Sequence, residues 1–192
     1  MKPAITAGGD PRVGCDVAWL KLDESRVARA LASDCAAWLL APEAVNWADG
    51  SGFENLQVLR YGKGGEFKLH HDANERTPRM LTVLLYLNGV GETWFPLAVG
   101  TEDDEDYADG MPTTIANPAS REAALKAAAA LVPGEDGLLA QPAKGDGVAF
   151  FNFLDSEPGL TLDRLAMHAG LPAPDEKSVA ALWFHLGSLR QP

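Results

Sequence analysis

Residues 61–72 read YGKGGEFKLHHD, and the rest of the chain is best read outward from them. A tyrosine, a cluster of glycines, two adjacent histidines and an aspartate fall within one short stretch. His70 and Asp72 are two apart, so on a β-strand both side chains leave the same face. A neutral imidazole and a carboxylate on one face supply two of the three ligands of a 2-His-1-carboxylate iron site. On the same alternation His71 points to the opposite face, where a structural role is expected. Gly62, Gly64 and Gly65 predict a turn, with 53–60 (FENLQVLR) entering it as a strand and 66–72 returning from it.

Downstream, 80–88 (MLTVLLYLN) is an apolar run with β-branched and aromatic residues, the signature of a buried strand. Further short strands are predicted at 91–96, 140–153, 165–170 and 179–186, and upstream at 17–22. Asp23 is a candidate N-cap for a helix over 24–40 that Pro42 stops. Its Val27, Leu31, Trp38 and Leu39 recur at helical spacing and are expected to face the core. Residues 1–14 predict an irregular arm or a short edge strand. Residues 100–137 interrupt the strands with an acidic run, 101–109 (TEDDEDYAD), read as a solvated loop, and then a helix. Asn117 would cap that helix, Pro118 would occupy its first turn, and Pro133-Gly134 would end it. The succession predicts one domain over 1–192, α+β and mainly β, built on an antiparallel barrel or sandwich, with a helical insertion at about 101–137.

Composition narrows the function classes. The 192 residues carry 27 acidic against 16 basic side chains, a formal net charge of −11. Such a chain repels phosphate backbones, so a nucleic-acid partner is not expected. No apolar run approaches the roughly 20 residues needed to span a bilayer, and the N-terminus lacks a signal-peptide core. Two cysteines, Cys15 and Cys35, make no disulfide framework and read as buried thiols in a reducing compartment. The expectation is a cytoplasmic protein without a membrane partner.

The His-x-Asp pair by itself is a weak signal, so its company matters. Only His168 and His185 remain as histidines. His168 stands in 163–172 (DRLAMHAGLP), between two strand-like segments. A sheet folding back on itself would bring it to His70 and Asp72. Taken alone it is more often a structural histidine than a ligand.

Several ordered motifs now carry a resemblance. LQVLRYGKGGEFKLHHD, RMLTVLLYLN followed by GETWFP, PAKGDGVAFFNF, and DRLAMHAGLP resemble, in order, the 2-oxoglutarate/Fe(II)-dependent dioxygenase superfamily and its prolyl 4-hydroxylase branch. The resemblance implies a double-stranded β-helix (jelly-roll) barrel with flanking helices. It implies that His70, Asp72 and His168 bind Fe(II), and that Lys177 pairs with the distal carboxylate of 2-oxoglutarate. Tyr61, Thr93 and Trp183 match residues lining that co-substrate pocket, and Arg79 and His185 match residues near the substrate. The implied reaction uses O2 to hydroxylate an unactivated C–H bond while 2-oxoglutarate becomes succinate and CO2, with ascorbate as reductant. A prolyl residue in a peptide is the implied substrate, with a free amino acid or other small molecule as the alternative. Rival readings are a cupin-like metal enzyme without a 2-oxo acid and a non-catalytic jelly-roll metal-binding module. The chain departs from the family pattern at the single Gly91, at Glu176 and Ser178 beside Lys177, and in the short 73–78 loop. These departures bear on the peptide-binding surface and spare the three metal positions.

Overall fold

A computed structural model describes residues 2–3, 12–40, 52–73, 79–98, 120–154 and 161–185. The acidic run and the expected caps Asn117 and Pro118 lie outside those residues. In chain order the strands are Lys2–Pro3 (β1), Arg12–Leu20 (β2), Leu56–His70 (β3), Arg79–Tyr86 (β4), Thr93–Phe95 (β5) and Leu138–Ala140 (β6). Gly147–Phe151 (β7), Phe153–Leu154 (β8), Thr161–Leu162 (β9), His168–Gly170 (β10) and Lys177–His185 (β11) follow. The helices are Arg26–Leu39 (α1) and Arg121–Ala128 (α2).

The glycine cluster does not turn the chain back. β2 runs antiparallel to both halves of β3, with Leu20 opposite Leu56 and Arg12 opposite Phe67, so the chain keeps its direction. The register slips between, because Cys15 faces Tyr61 while Val13 faces Glu66. Residues 62–65 are therefore a bulge, and 66–70 continue the same strand. Gly65 shows why glycine is required there. A Cβ would sit 2.8 Å from the Gly62 carbonyl oxygen and 3.0 Å from that of Gly14.

Because β3 continues, it serves two neighbours on its other edge. β11 pairs with it from Gln57 to Tyr61, and β10 from Phe67 to His70. The sheet extends from β11 through β4 to β7, and from β10 through β5 to β6. With β1 and β2, nine strands join one curled sheet, a mainly β jelly-roll barrel as expected. β8 and β9 form a separate small pair.

Strict alternation gives the barrel an inside and an outside. On β11, Val179, Ala181 and Trp183 line an internal cavity, while Ala180, Leu182 and Phe184 pack outward in the core. β4 sends Thr82 and Leu84 inward and Leu81 and Val83 outward. Strands buried on both faces read as continuous apolar runs, which explains MLTVLLYLN.

α1 covers the outer face, but of the expected stripe only Leu31 packs against the core. Its buried residues are Ala28, Ala32 and Ala36, packed with Leu22, Leu56, Leu81 and Phe184. Val27 and Trp38 are 79% and 86% exposed. The small alanine face lets the helix axis approach the sheet closely, a packing criterion that hydrophobicity alone does not rank. Its N-cap is Ser25, whose hydroxyl accepts from the Ala28 N–H, rather than Asp23. α2 begins at the Ser120 cap and ends at Ala128, short of the predicted Pro133-Gly134.

One ion-paired cluster ties three segments together beside the barrel. Glu54 accepts two bonds from Arg79 on β4, Nε at 2.5 Å and Nη2 at 2.8 Å, and contacts His185 Nε2 on β11 at 2.8 Å. Burial alone would push the Glu54 carboxyl up, but His185 and Arg79 outweigh it and hold it at about 2.

Two outcomes follow from this packing. Ala32→Leu should cost about 1–3 kcal/mol by overpacking, whereas Trp38→Ser should stay within about 0.5 kcal/mol, as read by denaturant unfolding. Glu54 has a folded value below its unfolded 4.5, so its stabilisation is full above that pH and is lost as pH falls toward 2. Glu54→Gln should lower the thermal midpoint at pH 7, and calorimetry should show the gap to the parent closing between those values. A gap independent of pH would count against the cluster's role.

Candidate active site

The register of β3 and β10 sets His168 directly opposite His70. β3 ends at His70, and Asp72 follows in the bend beyond it. The ligand atoms of His70, Asp72 and His168 all lie within 4.8 Å of one another, and all three residues are buried. His70 Nε2 stands 3.5 Å from Asp72 Oδ1, and His168 Nε2 stands 3.8 Å from Oδ2.

The histidine tautomers are fixed from behind. His70 Nδ1 donates to the Lys68 carbonyl at 2.8 Å, and His168 Nδ1 donates to the Ala166 carbonyl at 2.9 Å. In its neutral form each ring therefore turns the lone pair of Nε2 toward the carboxylate. Phe67 stacks on the His70 ring at 3.6 Å, and Phe150 meets the His168 ring edge-on at 4.8 Å. Burial, then the neighbouring His70, lowers the His168 pKa to about 4, so it is neutral at pH 7 as a metal ligand must be. Burial would raise the Asp72 carboxyl, but His168, His70 and the Thr82 hydroxyl together hold it below the usual carboxylate range. His70 Nε2 is buried without a hydrogen-bond partner among the described residues. An orphaned imidazole nitrogen beside an ionised, buried carboxylate fits a divalent cation, and two nitrogens with one oxygen fit iron(II).

The triad opens into a cavity of about 520 Å³, counting its mouth. Tyr61, Thr93, Lys177 and Trp183 share its lining. Lys177 faces Tyr61 across the β11–β3 ladder, is 3% exposed, and donates from Nζ to the Glu92 carbonyl at 2.8 Å. Burial pulls its pKa down to about 8. Its stem needs Gly91, where the backbone has φ +78° and a Cβ would lie 2.7 Å from Lys177 Cδ. The Thr93 hydroxyl is hydrogen-bonded to the Tyr86 hydroxyl.

The remaining expected residues stand around this core. The Trp183 indole N–H donates to Asp72 Oδ2 at 3.2 Å, so that residue touches the triad as well as the cavity. Arg79 lies 3.8 Å over the Trp183 ring, and both Arg79 and His185 are held by Glu54 outside the cavity lining. His71 points away, its Nε2 donating to the Asp163 carbonyl at 2.7 Å. Sequence reading missed Thr82, Asn152, Glu54, Tyr86 and Trp19. Thr82 and Asn152 could have been noticed as lone polar residues inside apolar strand runs, since buried polar groups need partners. Trp19 faces Gln57 in the ladder, and its ring centroid is 6.1 Å from that of Trp183.

Known proteins resemble this chain in sequence and fold. Residues 56–185 match the family model of the 2OG-Fe(II) oxygenase superfamily. The chain is similar to the probable prolyl 4-hydroxylase 8 of Arabidopsis thaliana, 30% identical over 144 residues, covering 69% of this chain and 42% of that protein. It is also similar to the transmembrane prolyl 4-hydroxylase of Mus musculus, 30% identical over 178 residues, covering 79% and 32% respectively. The chain thus spans less than half the length of these curated relatives. Among the described residues no helix is long and apolar enough to cross a membrane. The viral collagen prolyl hydroxylase of Paramecium Bursaria Chlorella virus-1, in its 2OG complex, superposes with a TM-score of 0.56 at 21% identity, over 88% of this chain and 77% of that one. A Trichoplax adhaerens prolyl hydroxylase, in complex with a hypoxia inducible factor peptide fragment, gives a TM-score of 0.56 at 19% identity, over 99% and 71%. These structural likenesses show the fold. With the matched segment running from the start of β3 to the end of β11, the chain belongs to the 2OG-Fe(II) oxygenase superfamily.

Proposed function

We propose that this chain uses Fe(II), 2-oxoglutarate and O2 to hydroxylate an unactivated C–H bond, with a prolyl residue of a peptide as substrate. The observation that carries the reading is a buried triad of unprotonated imidazole nitrogens and carboxylate, opening into a cavity walled by a buried lysine. His70, Asp72 and His168 would hold the iron. Iron with the 2-oxo acid and O2 supplies the oxidising chemistry, the 2-oxo acid leaving as succinate and CO2.

The chain's own residues bind, orient and shield. The Lys177 ammonium meets the distal carboxylate of the co-substrate, restoring the charge partner that burial denies it. The Tyr61 and Thr93 hydroxyls line the same pocket and complete that carboxylate's hydrogen bonds. Leu59, Leu84, Val179 and Ala181 keep the surrounding wall apolar and exclude water. The substrate half of the proposal is supported by the prolyl hydroxylases among the relatives and by Trp19. Trp19 pairs with the cavity residue Gln57 yet remains 47% exposed, offering an aromatic surface beside Trp183 for a pyrrolidine ring. Arg79 and His185, clamped by Glu54, form the neighbouring wall. Ascorbate serves as the reductant.

The test is incubation with Fe(II), ascorbate, 2-oxoglutarate and a proline-rich peptide library, reading succinate and peptide oxygenation by mass. Succinate with an oxygenated peptide is expected. Succinate without it would transfer the substrate to a free amino acid or other small molecule. Neither succinate nor retained Fe(II) would leave a non-catalytic barrel. Lys177→Met should weaken 2-oxoglutarate binding on the order of 100-fold, and an unchanged affinity would favour a metal enzyme without a 2-oxo acid. In the parent, that affinity should be level below pH 8 and fall above it, because Lys177 must then take up a proton to bind. Trp19→Ala should raise the peptide KM roughly tenfold, with Trp19→Phe keeping most of the affinity.

A further inference from the structure

We infer that Asn152 and Thr82 form a one-way hydrogen-bond relay that positions the Asp72 carboxylate, directing Oδ1 rather than Oδ2 to the metal. The inference rests on the metal reading above.

Asn152 is 0% exposed, in the bend between β7 and β8. Its main chain is fixed from two sides: its N–H donates to the Met80 carbonyl at 2.8 Å, and its carbonyl accepts from the Asp163 N–H at 2.9 Å. Its side-chain Nδ2 donates to Thr82 Oγ1 at 2.9 Å. An amide nitrogen has no acceptor capacity, so this bond has one polarity. The Thr82 hydroxyl has a single hydrogen, and it goes to Asp72 Oδ2 at 2.8 Å.

The alternative amide orientation would turn that hydrogen toward Asn152, and the lone pairs of Thr82 Oγ1 and Asp72 Oδ2 would then face each other. The observed polarity avoids this repulsion, at the expense of leaving Asn152 Oδ1 buried without a partner among the described residues. A buried, unpaired amide oxygen is costly, so its presence needs a compensating demand. Asp72 supplies that demand.

Two donors converge on one carboxylate oxygen. Thr82 Oγ1 and Trp183 Nε1 both bond Oδ2, which His168 Nε2 also approaches at 3.8 Å, whereas Oδ1 faces His70 Nε2 at 3.5 Å and accepts from neither donor. The two oxygens are thereby made chemically unequal. Oδ2 is held by hydrogen bonds, and Oδ1 keeps its lone pairs for a cation. A carboxylate with both oxygens free can swing to bind through both and take a further coordination position. A bidentate 2-oxo acid and O2 need that position open. Thr82 lines the cavity but gives its hydroxyl hydrogen to Asp72, Asn152 lies outside that lining, and both act through Asp72 as positioning residues.

The test is anaerobic titration of the purified protein with Co(II), reading the dissociation constant and the visible d–d bands, which report coordination number. Thr82→Val keeps the shape and removes the hydroxyl. It should weaken Co(II) binding 10- to 100-fold and alter the band pattern. Thr82→Ser restores the hydroxyl and should return both readouts to within a few-fold of the parent. Asn152→Leu should move them in the same direction as Thr82→Val, by less. Thr82→Ala is the second hydroxyl-free variant should Thr82→Val fail to match the parent's circular dichroism. A folded hydroxyl-free variant with parent-like affinity and bands would overturn the relay, as would Thr82→Ser binding as weakly as Thr82→Val. If the parent itself does not bind Co(II), the metal reading falls and the relay with it. If the parent binds and the variants do not differ, the relay alone falls.

Discussion

The pairing of His168 with His70 across β10 and β3 is the constraint on which the site depends. It joins segments far apart in the chain, so it must be enforced by the sheet and not by local preference. β3 enforces it by continuing straight through the glycine bulge. Its first half pairs with β11 and aligns Tyr61 with Lys177; its second half pairs with β10 and aligns the two histidines. One strand thus carries both the Lys177 wall and the triad wall of the cavity. Had the glycines made a hairpin, the two halves would have faced each other, and neither alignment would exist.

The interior built this way holds opposed charges in an apolar shell. Asp72 is buried as a carboxylate, and Lys177 is buried with a backbone carbonyl as its close partner. Burial opposes ionisation of both groups, as the lowered Lys177 pKa records. A protein free to optimise stability alone would replace both with apolar residues. Their retention has a physical sense if each is completed by a ligand of opposite charge, since binding to the folded state alone then adds stability. The empty-handed barrel is therefore expected to be less stable than the loaded one.

How far the sequence spoke for itself follows from which interactions are local. The strands were legible because alternation and apolar runs are local, and so was the parity of His70, His71 and Asp72, which the burial pattern repeats. The glycine cluster misled because a bulge and a turn use the same residue chemistry, and only the pairing partners, all distant, tell them apart. α1 misled for another reason. Hydrophobicity singles out Val27 and Trp38, but close approach to a sheet favours Ala28, Ala32 and Ala36. Glu54 stayed invisible because nothing near it in sequence announces Arg79 or His185. Thr82 and Asn152 were visible as polar interruptions, but their common target was not.

The rim and the metal wall are also mechanically linked, and this bears on what the mouth can recognise. Glu54 engages Arg79 with two bonds and His185 with a third contact; Arg79 lies on Trp183, and Trp183 holds Asp72. A guanidinium already in a bidentate pair and stacked on an indole has little to gain from a charged substrate, which would have to displace Glu54. Disturbing it would propagate through Trp183 to the carboxylate that the site relies on. Charge recognition by Arg79 would thus come at the expense of metal geometry. The exposed face of Trp19 beside Trp183 carries no such conflict, and in the proposed reading it would favour an apolar ring over an ionised group. The same clamp that steadies Asp72 is therefore compatible with the substrate proposed above, a neutral, ring-bearing residue.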